Sequence, residues 1–302
     1  MGYGDMADVK KWTSFQAQLE KLVERGCIVN DRKFCIDTLK RVNYYRLTAY
    51  FLPFRESDGR YKPGTTFEKV YGTYEFDRKM RTILFSAIEE IEIFLRAQLA
   101  HYHAEEYGEL GYCDPQHFSA YCNHDEFMNR FQAEVDRNDK LLFVKHHVGK
   151  YGGSFPLWAA VELFSFGTIS FFYSNLKTQD QKRLLKVMYP NTPIGNKVLM
   201  SWLRCCTDLR NTCAHYSRLY HRIFPAQPKT PKVNLTVSNE FSFILQDRLF
   251  DMIYVLRCLY PKEKEWNGAI LAPIRALIEQ YETHIDLKHI GFPLDWEKRL
   301  ER

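Results

Sequence analysis

Apolar positions recur at helical spacing along most of this chain, and strict alternation is nearly absent, so the pattern predicts helices almost throughout. Residues 13–25 read as a short amphipathic helix, with Thr13 or Ser14 as N-cap and Gly26 as stop. Asp31 caps a second helix running to Leu39, and the aromatic-rich run Leu39–Phe54 follows. From about Phe67 to Tyr107, Leu84, Ile88, Ile91, Leu95, Leu99 and Tyr102 make one apolar stripe, with Glu89, Glu92 and Arg96 across from it. This is one central helix, or two broken near Gly72. Asn123 caps one or two helices over 124–150. The apolar run Pro156–Tyr173 reads as two short buried helices joined near Gly167. A further helix runs from about Ile194 to Tyr220, and Glu240–Leu259 and Lys262–Tyr281 read as two amphipathic ones. Residues 290–296 read as a packed extended segment.

Turn signals fill the gaps. Asp58-Gly59 and Pro63-Gly64 predict a small hairpin or loop over 55–66, and Lys232–Val237 is the other segment with strand character. Residues 108–122 and 152–156 are loops, and 225–238 is a linker opened by Pro225 and Pro228. The expectation is an all-α helical bundle with N- and C-terminal helical additions and at most a small hairpin. Its parts are an N-terminal module (1–63), a helical core (64–224) and a C-terminal extension (225–302).

The candidate chemistry sits on the helix over 194–220. Trp202, Cys206, Leu209 and Cys213 fall on one side, while Asn211 and His215, four apart, fall on the other. Arg210 sits on the flank. A lone Arg or His on a helix is usually solvated surface, but here three groups able to bind or protonate a phosphate lie within six residues. Arg218 and Arg222 follow as further candidates for contacts to a phosphate-bearing substrate. Arg96 and His101 repeat the Arg-x4-His spacing on the long helix, with His103 as an alternative histidine and no Asn after the Arg. Arg41 and Arg46, beside Tyr44, Tyr45 and Tyr50, are candidates for phosphate contacts.

Composition narrows the classes. The 302 residues, 45% hydrophobic, suffice for one large core or two modest domains. No run is long and apolar enough to span a bilayer, and the N-terminus lacks a basic region followed by an apolar one. A cytoplasmic chain with no membrane partner is expected. The eight cysteines form no Cys-x-x-Cys pair, so free thiols are expected rather than zinc. His146 and His147 are adjacent and point apart on a helix, which disfavours a shared metal, and no metal or cofactor is expected. Gly152-Gly153 lacks the Gly-Lys-Ser/Thr of a P-loop. A net charge of +5 is compatible with an acidic partner such as RNA without demanding one.

The string Leu209-Arg-Asn-Thr-Cys-Ala-His-Tyr-Ser-Arg-Leu219 resembles the Arg-x(4–6)-His motif of HEPN ribonucleases, in the form Arg-Asn-x-x-Ala-His. More narrowly it resembles bacterial abortive-infection (Abi) phage-resistance proteins of the AbiD/AbiF type, which carry a similar run ending in Ser-Arg-Leu. Asn43-Tyr-Tyr-Arg-Leu-x-x-Tyr50 is similar to a signature in the N-terminal region of that family, and the run over 156–173 is similar to the segment that precedes its motif helix. The resemblance covers roughly residues 15–222.

The resemblance implies a HEPN-like bundle and a metal-independent RNA endonuclease that leaves 2′,3′-cyclic phosphate ends and acts as a toxin in phage defence. Arg210, Asn211 and His215 would be its catalytic residues. RNA is the implied partner, as target and also as a small noncoding antitoxin or cofactor, with no DNA expected. One motif supplies one histidine where two proton-transfer partners are wanted. Either a second subunit of a homodimer brings its own motif, or Arg96 and His101 complete the site within the chain. The competing class is a non-catalytic RNA-binding protein that holds a small noncoding RNA in the same groove.

Overall fold

The computed structural model describes residues 11–231 and 244–302. Among the described residues there are thirteen α-helices and no strand, so the all-α expectation is met. Extended pairing is confined to three isolated bridges among these residues. One of them, Arg55 to Tyr61, closes the reverse turn expected over 55–66: the Glu56 amide donates to the Arg60 carbonyl (2.8 Å) and the Lys62 amide to Phe54 (2.7 Å). The strand expected at 232–237 lies outside the described residues.

The chain divides into two compact units. Of the described residues, the first comprises 11–79 with 277–286. It holds α1 (Phe15–Glu24), α2 (Arg32–Arg41), α3 (Tyr44–Phe51) and the opening turns of α4 (Phe67–Tyr107). Each short helix starts where a polar side chain accepts an orphan amide: Ser14 from Ala17, Asp31 from Phe34, Asn43 from Tyr45. The expected N-caps at Ser14 and Asp31 are therefore in place. The Tyr50 hydroxyl donates to the buried carboxylate of Asp77 (2.7 Å). Gly72 does not break α4, which is continuous over 41 residues. A side chain there has no room, because a Cβ would run into the imidazole ring of His284. The Thr73 hydroxyl beside it donates to the His284 carbonyl (2.8 Å).

The second unit comprises residues 80–276 with 287–302. The remainder of α4 is joined there by α5 (His124–Arg137), α6 (Leu142–Tyr151), α7 (Leu157–Ala160), α8 (Phe166–Asn175), α9 (Thr178–Met188), α10 (Asn196–Ala214), α11 (Leu249–Leu259), the start of α12 (Ala272–Gln280) and α13 (Trp296–Leu300). α10 packs against α8, α9 and α11. Asn123 caps α5 as expected, accepting from the Glu126 amide (3.2 Å).

Several boundaries differ from the sequence reading. The joint expected near Gly167 falls at Ser165, whose hydroxyl accepts the Thr168 amide (3.1 Å), and Gly167 lies inside α8. The amphipathic helix expected from Glu240 begins at Leu249 and is buried on every side. Its charges are satisfied locally: Asp251 accepts from the Arg248 amide (3.3 Å), and Arg257 donates to the Glu301 carbonyl (2.6 Å). The single helix expected over 262–281 is a short 3-10 turn and a π turn (Asn267–Leu271) leading into α12. Pro273, which has no N–H to donate, accounts for the widened turn ahead of it.

Among the described residues, His103 is a buried polar group whose hydrogen bonds are unmet. It is fully buried among Tyr107, His117, Phe118 and Phe172, and neither ring nitrogen has a hydrogen-bond partner. Burial, with the neighbouring His117 adding to it, pushes its pKa down to about 4 from 6.5. Between those values the unfolded chain binds a proton that the folded chain refuses. Stability from neutral His103 is therefore full above about pH 6.5 and is lost as pH falls toward 4, by up to about 3 kcal/mol. The expected outcome is a urea midpoint that falls across this window in the wild type and falls less in His103→Phe. Equal pH slopes in the two proteins would contradict it.

Candidate active site

α10 buries one side and exposes the other. Trp202, Cys206, Leu209 and Cys213 are all buried, as the stripe predicted, and the Trp202 indole donates to the Lys229 carbonyl (2.9 Å). Asn211 and His215 are exposed.

The helix does not continue to Tyr220. It ends at Ala214, and His215 is its C-cap residue. Tyr216 takes the left-handed conformation (φ 55°), its amide donates to Cys213 (3.1 Å), and the Ser217 amide reaches back to Thr212 (2.9 Å). This pair of bonds is the Schellman closure, which glycine usually makes because a Cβ is strained there. No glycine marks the end in the sequence, so composition could not announce it. As a result His215 leaves the helical path and stands at its exposed end. Arg81 of α4, itself buried, donates to the Ser217 carbonyl (3.1 Å) and braces the turn.

Arg210 points from the flank of α10 toward α4. Its Nε lies 3.8 Å from Oε2 of Glu92, a charge contact longer than a hydrogen bond. The other oxygen of Glu92 accepts from Arg96 (2.6 Å), whose same nitrogen also donates to the Phe164 carbonyl (2.7 Å). The arginines of the two Arg-x4-His repeats thus meet at one nearly buried carboxylate.

Their histidines do not meet. Glu92 is level with Arg210 while Arg81, earlier on α4, reaches Ser217, later than Arg210, so the two helices run antiparallel here. His101 lies nine residues beyond Glu92 in one direction, and His215 lies five beyond Arg210 in the other. At the helical rise this separates them by about 20 Å along the axes. His101 is exposed and lines a shallow cleft of about 440 Å³ with Ala97, Ala100, Ala104 and Trp158. His103, the alternative histidine, is sealed in the core.

The remaining candidates are dispersed. Arg218 is half-buried, in the turn after His215. Arg222 lies over the Phe224 ring (5.4 Å), its Nε buried without a hydrogen bond. Arg46 belongs to the first unit, over Tyr74 (5.9 Å), and Arg41, also there, donates to the Asp37 carbonyl (3.3 Å). His147 is a packing residue, stacked on Phe155 (4.9 Å) and bonded to the Phe143 carbonyl (2.7 Å). Among the described residues, no three His, Cys, Asp or Glu side chains are grouped to hold a metal ion, and all eight cysteines are free thiols.

Sequence reasoning missed Glu92, the residue that joins the two motifs. A signal existed: Glu92 and Arg96 stand four apart on one face, the spacing of an intrahelical ion pair. Removing the carboxylate leaves two partly buried guanidinium groups uncompensated. Glu92→Ala is expected to destabilise the protein by about 2–4 kcal/mol, measured by chemical denaturation. A loss below about 0.5 kcal/mol, the range of ordinary surface positions, would contradict the shared-carboxylate account.

Residues 37–221, more than half of the chain, match the model of a family described as Abi-like protein. The chain belongs to this family, which points to a role in abortive infection. No curated protein and no solved structure matches it. No helix among the described residues is long and apolar enough to cross a membrane.

Proposed function

We propose that this member of the Abi-like family is a metal-independent RNA endonuclease of the HEPN type, acting as a growth-arresting toxin in the bacterial cytoplasm. The observation that carries the reading is the end of α10: His215 and Asn211 exposed together, beside an arginine whose charge Glu92 holds in place.

RNA brings its own nucleophile, the 2′-hydroxyl. In the proposed reaction one imidazole takes the proton of that hydroxyl as its oxygen bonds to the adjacent phosphorus. A second imidazole gives a proton to the departing 5′-oxygen. The products are a 2′,3′-cyclic phosphate and a 5′-hydroxyl. Histidine is the side chain suited to both transfers at neutral pH. Arg210 offsets the charge that builds on the phosphate oxygens, and its ion pair with Glu92 fixes the guanidinium before substrate arrives. Asn211, one turn before His215, orients the ring or the phosphate. Arg218 and Arg222 are proposed as contacts to the RNA backbone, and Arg46 as a separate one on the first unit. DNA has no 2′-hydroxyl and is not a substrate in this scheme.

The second imidazole is proposed to come from a second copy of the chain. The roughly 20 Å between His101 and His215 favours this over completion by Arg96 and His101 within one chain. A two-fold axis beside the end of α10 would bring two copies of Arg210 and His215 to one phosphate.

His215→Ala is expected to abolish RNA cleavage and cellular toxicity while costing under about 0.5 kcal/mol of stability, because the ring is exposed. Cleavage by the wild type is expected to survive excess EDTA and to leave 2′,3′-cyclic phosphate ends, read by mass spectrometry. Activity that vanishes with EDTA and returns with magnesium would overturn the mechanism. Tight RNA binding with no cleavage at any purity would establish the alternative, a protein that holds a small noncoding RNA without cutting it.

A further inference from the structure

A long concavity of the second unit runs along α10 from Asn196 to Asp208, on the helix face that leads toward His215. It encloses about 1560 Å³ between α5, α8, α9, α10 and the chain around Gln227. That is more than a small-molecule pocket usually holds, and the trough is open along its length. Six cations line it: Arg130 and Arg137 from α5, Lys182 from α9, Lys197 and Arg204 from α10, and Lys229. Two carboxylates, Glu134 and Asp208, oppose them. The balance of four positive charges compares with five for the whole chain, so the protein's excess charge is concentrated here. Arg137 is paired with Glu134 (2.7 Å) and Arg130 with Glu126, both exposed pairs of the kind a phosphate readily displaces.

Register joins this trough to the candidate active site. Lys197, Arg204 and Asn211 are spaced seven apart on α10, and the cap residue His215 follows Asp208 at the same spacing. A seven-residue step drifts by only about 20° around a straight helix, so Lys197, Arg204 and Asn211 form one ladder that stops one turn short of His215. The ladder runs from the floor of the trough toward the end of the helix, about 25 Å from Lys197 to Ala214. At the rim stands Tyr121, 97% exposed, an aromatic face with no packing role.

We infer that this trough is the track for the backbone of a single-stranded RNA, leading it along α10 to His215. The inference rests on the ribonuclease reading for what happens at the end of the track, and on the trough's own charge and shape for the binding. Cations at intervals along a concave floor suit a polyphosphate. An exposed tyrosine at the rim suits an unstacked base, which a duplex does not offer. Ser165 and Thr168 share one hydrogen bond (2.9 Å), which leaves one hydroxyl proton of that pair on the same surface for a phosphate oxygen.

The test measures fluorescence anisotropy of a short 5′-fluorescein oligouridylate with the non-cleaving His215→Ala protein, across a salt series. In that background Lys197→Glu with Arg204→Glu is expected to weaken binding at least about tenfold. The slope of log affinity against log salt should shrink by roughly 0.7 for each phosphate that the variant no longer neutralises. Tyr121→Ala is expected to weaken binding by about fivefold or more. A second pair, Lys182→Glu with Lys229→Glu, repeats the test on the other walls, and circular dichroism checks that each variant is folded. Unchanged affinity and slope in both pairs would overturn the proposal, as would equally tight binding of a duplex of the same length. Displacement of the RNA by polyglutamate as readily as by unlabelled RNA would also overturn it, and would mark the trough as a site for an acidic protein segment. These outcomes are separate from the ribonuclease reading, because binding is scored in a protein that cannot cut and cleavage is scored in the wild type.

Discussion

The candidate site depends on one carboxylate shared by two arginines. Glu92 is nearly buried, and a carboxylate in that position is costly unless its charge is met. Arg96 meets it from the same helix and Arg210 from α10. The pair is therefore a register pin as well as an ion cluster: sliding α10 along α4 by one turn would leave Glu92 one guanidinium short. The stripe of Trp202, Cys206, Leu209 and Cys213 packs α10 into the core, but apolar packing alone tolerates such slips better than a buried charge does.

From that pin the rest of the site follows by geometry. With Arg210 fixed, the remaining turn of α10 carries Asn211 outward and ends at His215. The left-handed Tyr216 costs about 1–2 kcal/mol relative to an ordinary conformation, and two backbone bonds and the buried Arg81 hold it there. Strain at the exposed end of a charged helix is the kind of feature that folding alone does not require. The antiparallel register that brings the arginines together also drives His101 and His215 to opposite ends. The repeated Arg-x4-His spacing thus reads differently in three dimensions than along the chain: one repeat ends in an exposed site and the other mainly builds the clamp.

Much of this is legible in the sequence because it is local. The helical period exposes the apolar stripes, and Ser14, Asp31 and Asn123 announce helix starts through cap chemistry that needs only a few neighbouring residues. The polar face of α10 can be drawn from a wheel. What the sequence hides depends on contacts between distant elements. The end of α10 has no glycine, since a tertiary brace from Arg81 supports a tyrosine there. Gly72 looks like a breaker and is instead the place where His284 lies against the helix. Gly167 looks like a joint, while the hydroxyl of Ser165 two residues earlier starts the helix. Glu92 appears as one of several charges opposite a stripe, and its partner Arg210 is more than a hundred residues away.

In the proposed reaction the role of Glu92 is to position Arg210 rather than to contact RNA. It is tested most directly by single-turnover cleavage of one defined RNA by the wild type, Glu92→Gln, Arg210→Lys and the double variant, each shown to be folded. The account predicts that Glu92→Gln slows cleavage in the wild-type background and adds little once Arg210 is lysine. A folded Glu92→Gln protein cutting at the wild-type rate, or two effects that simply multiply in the double variant, would contradict it.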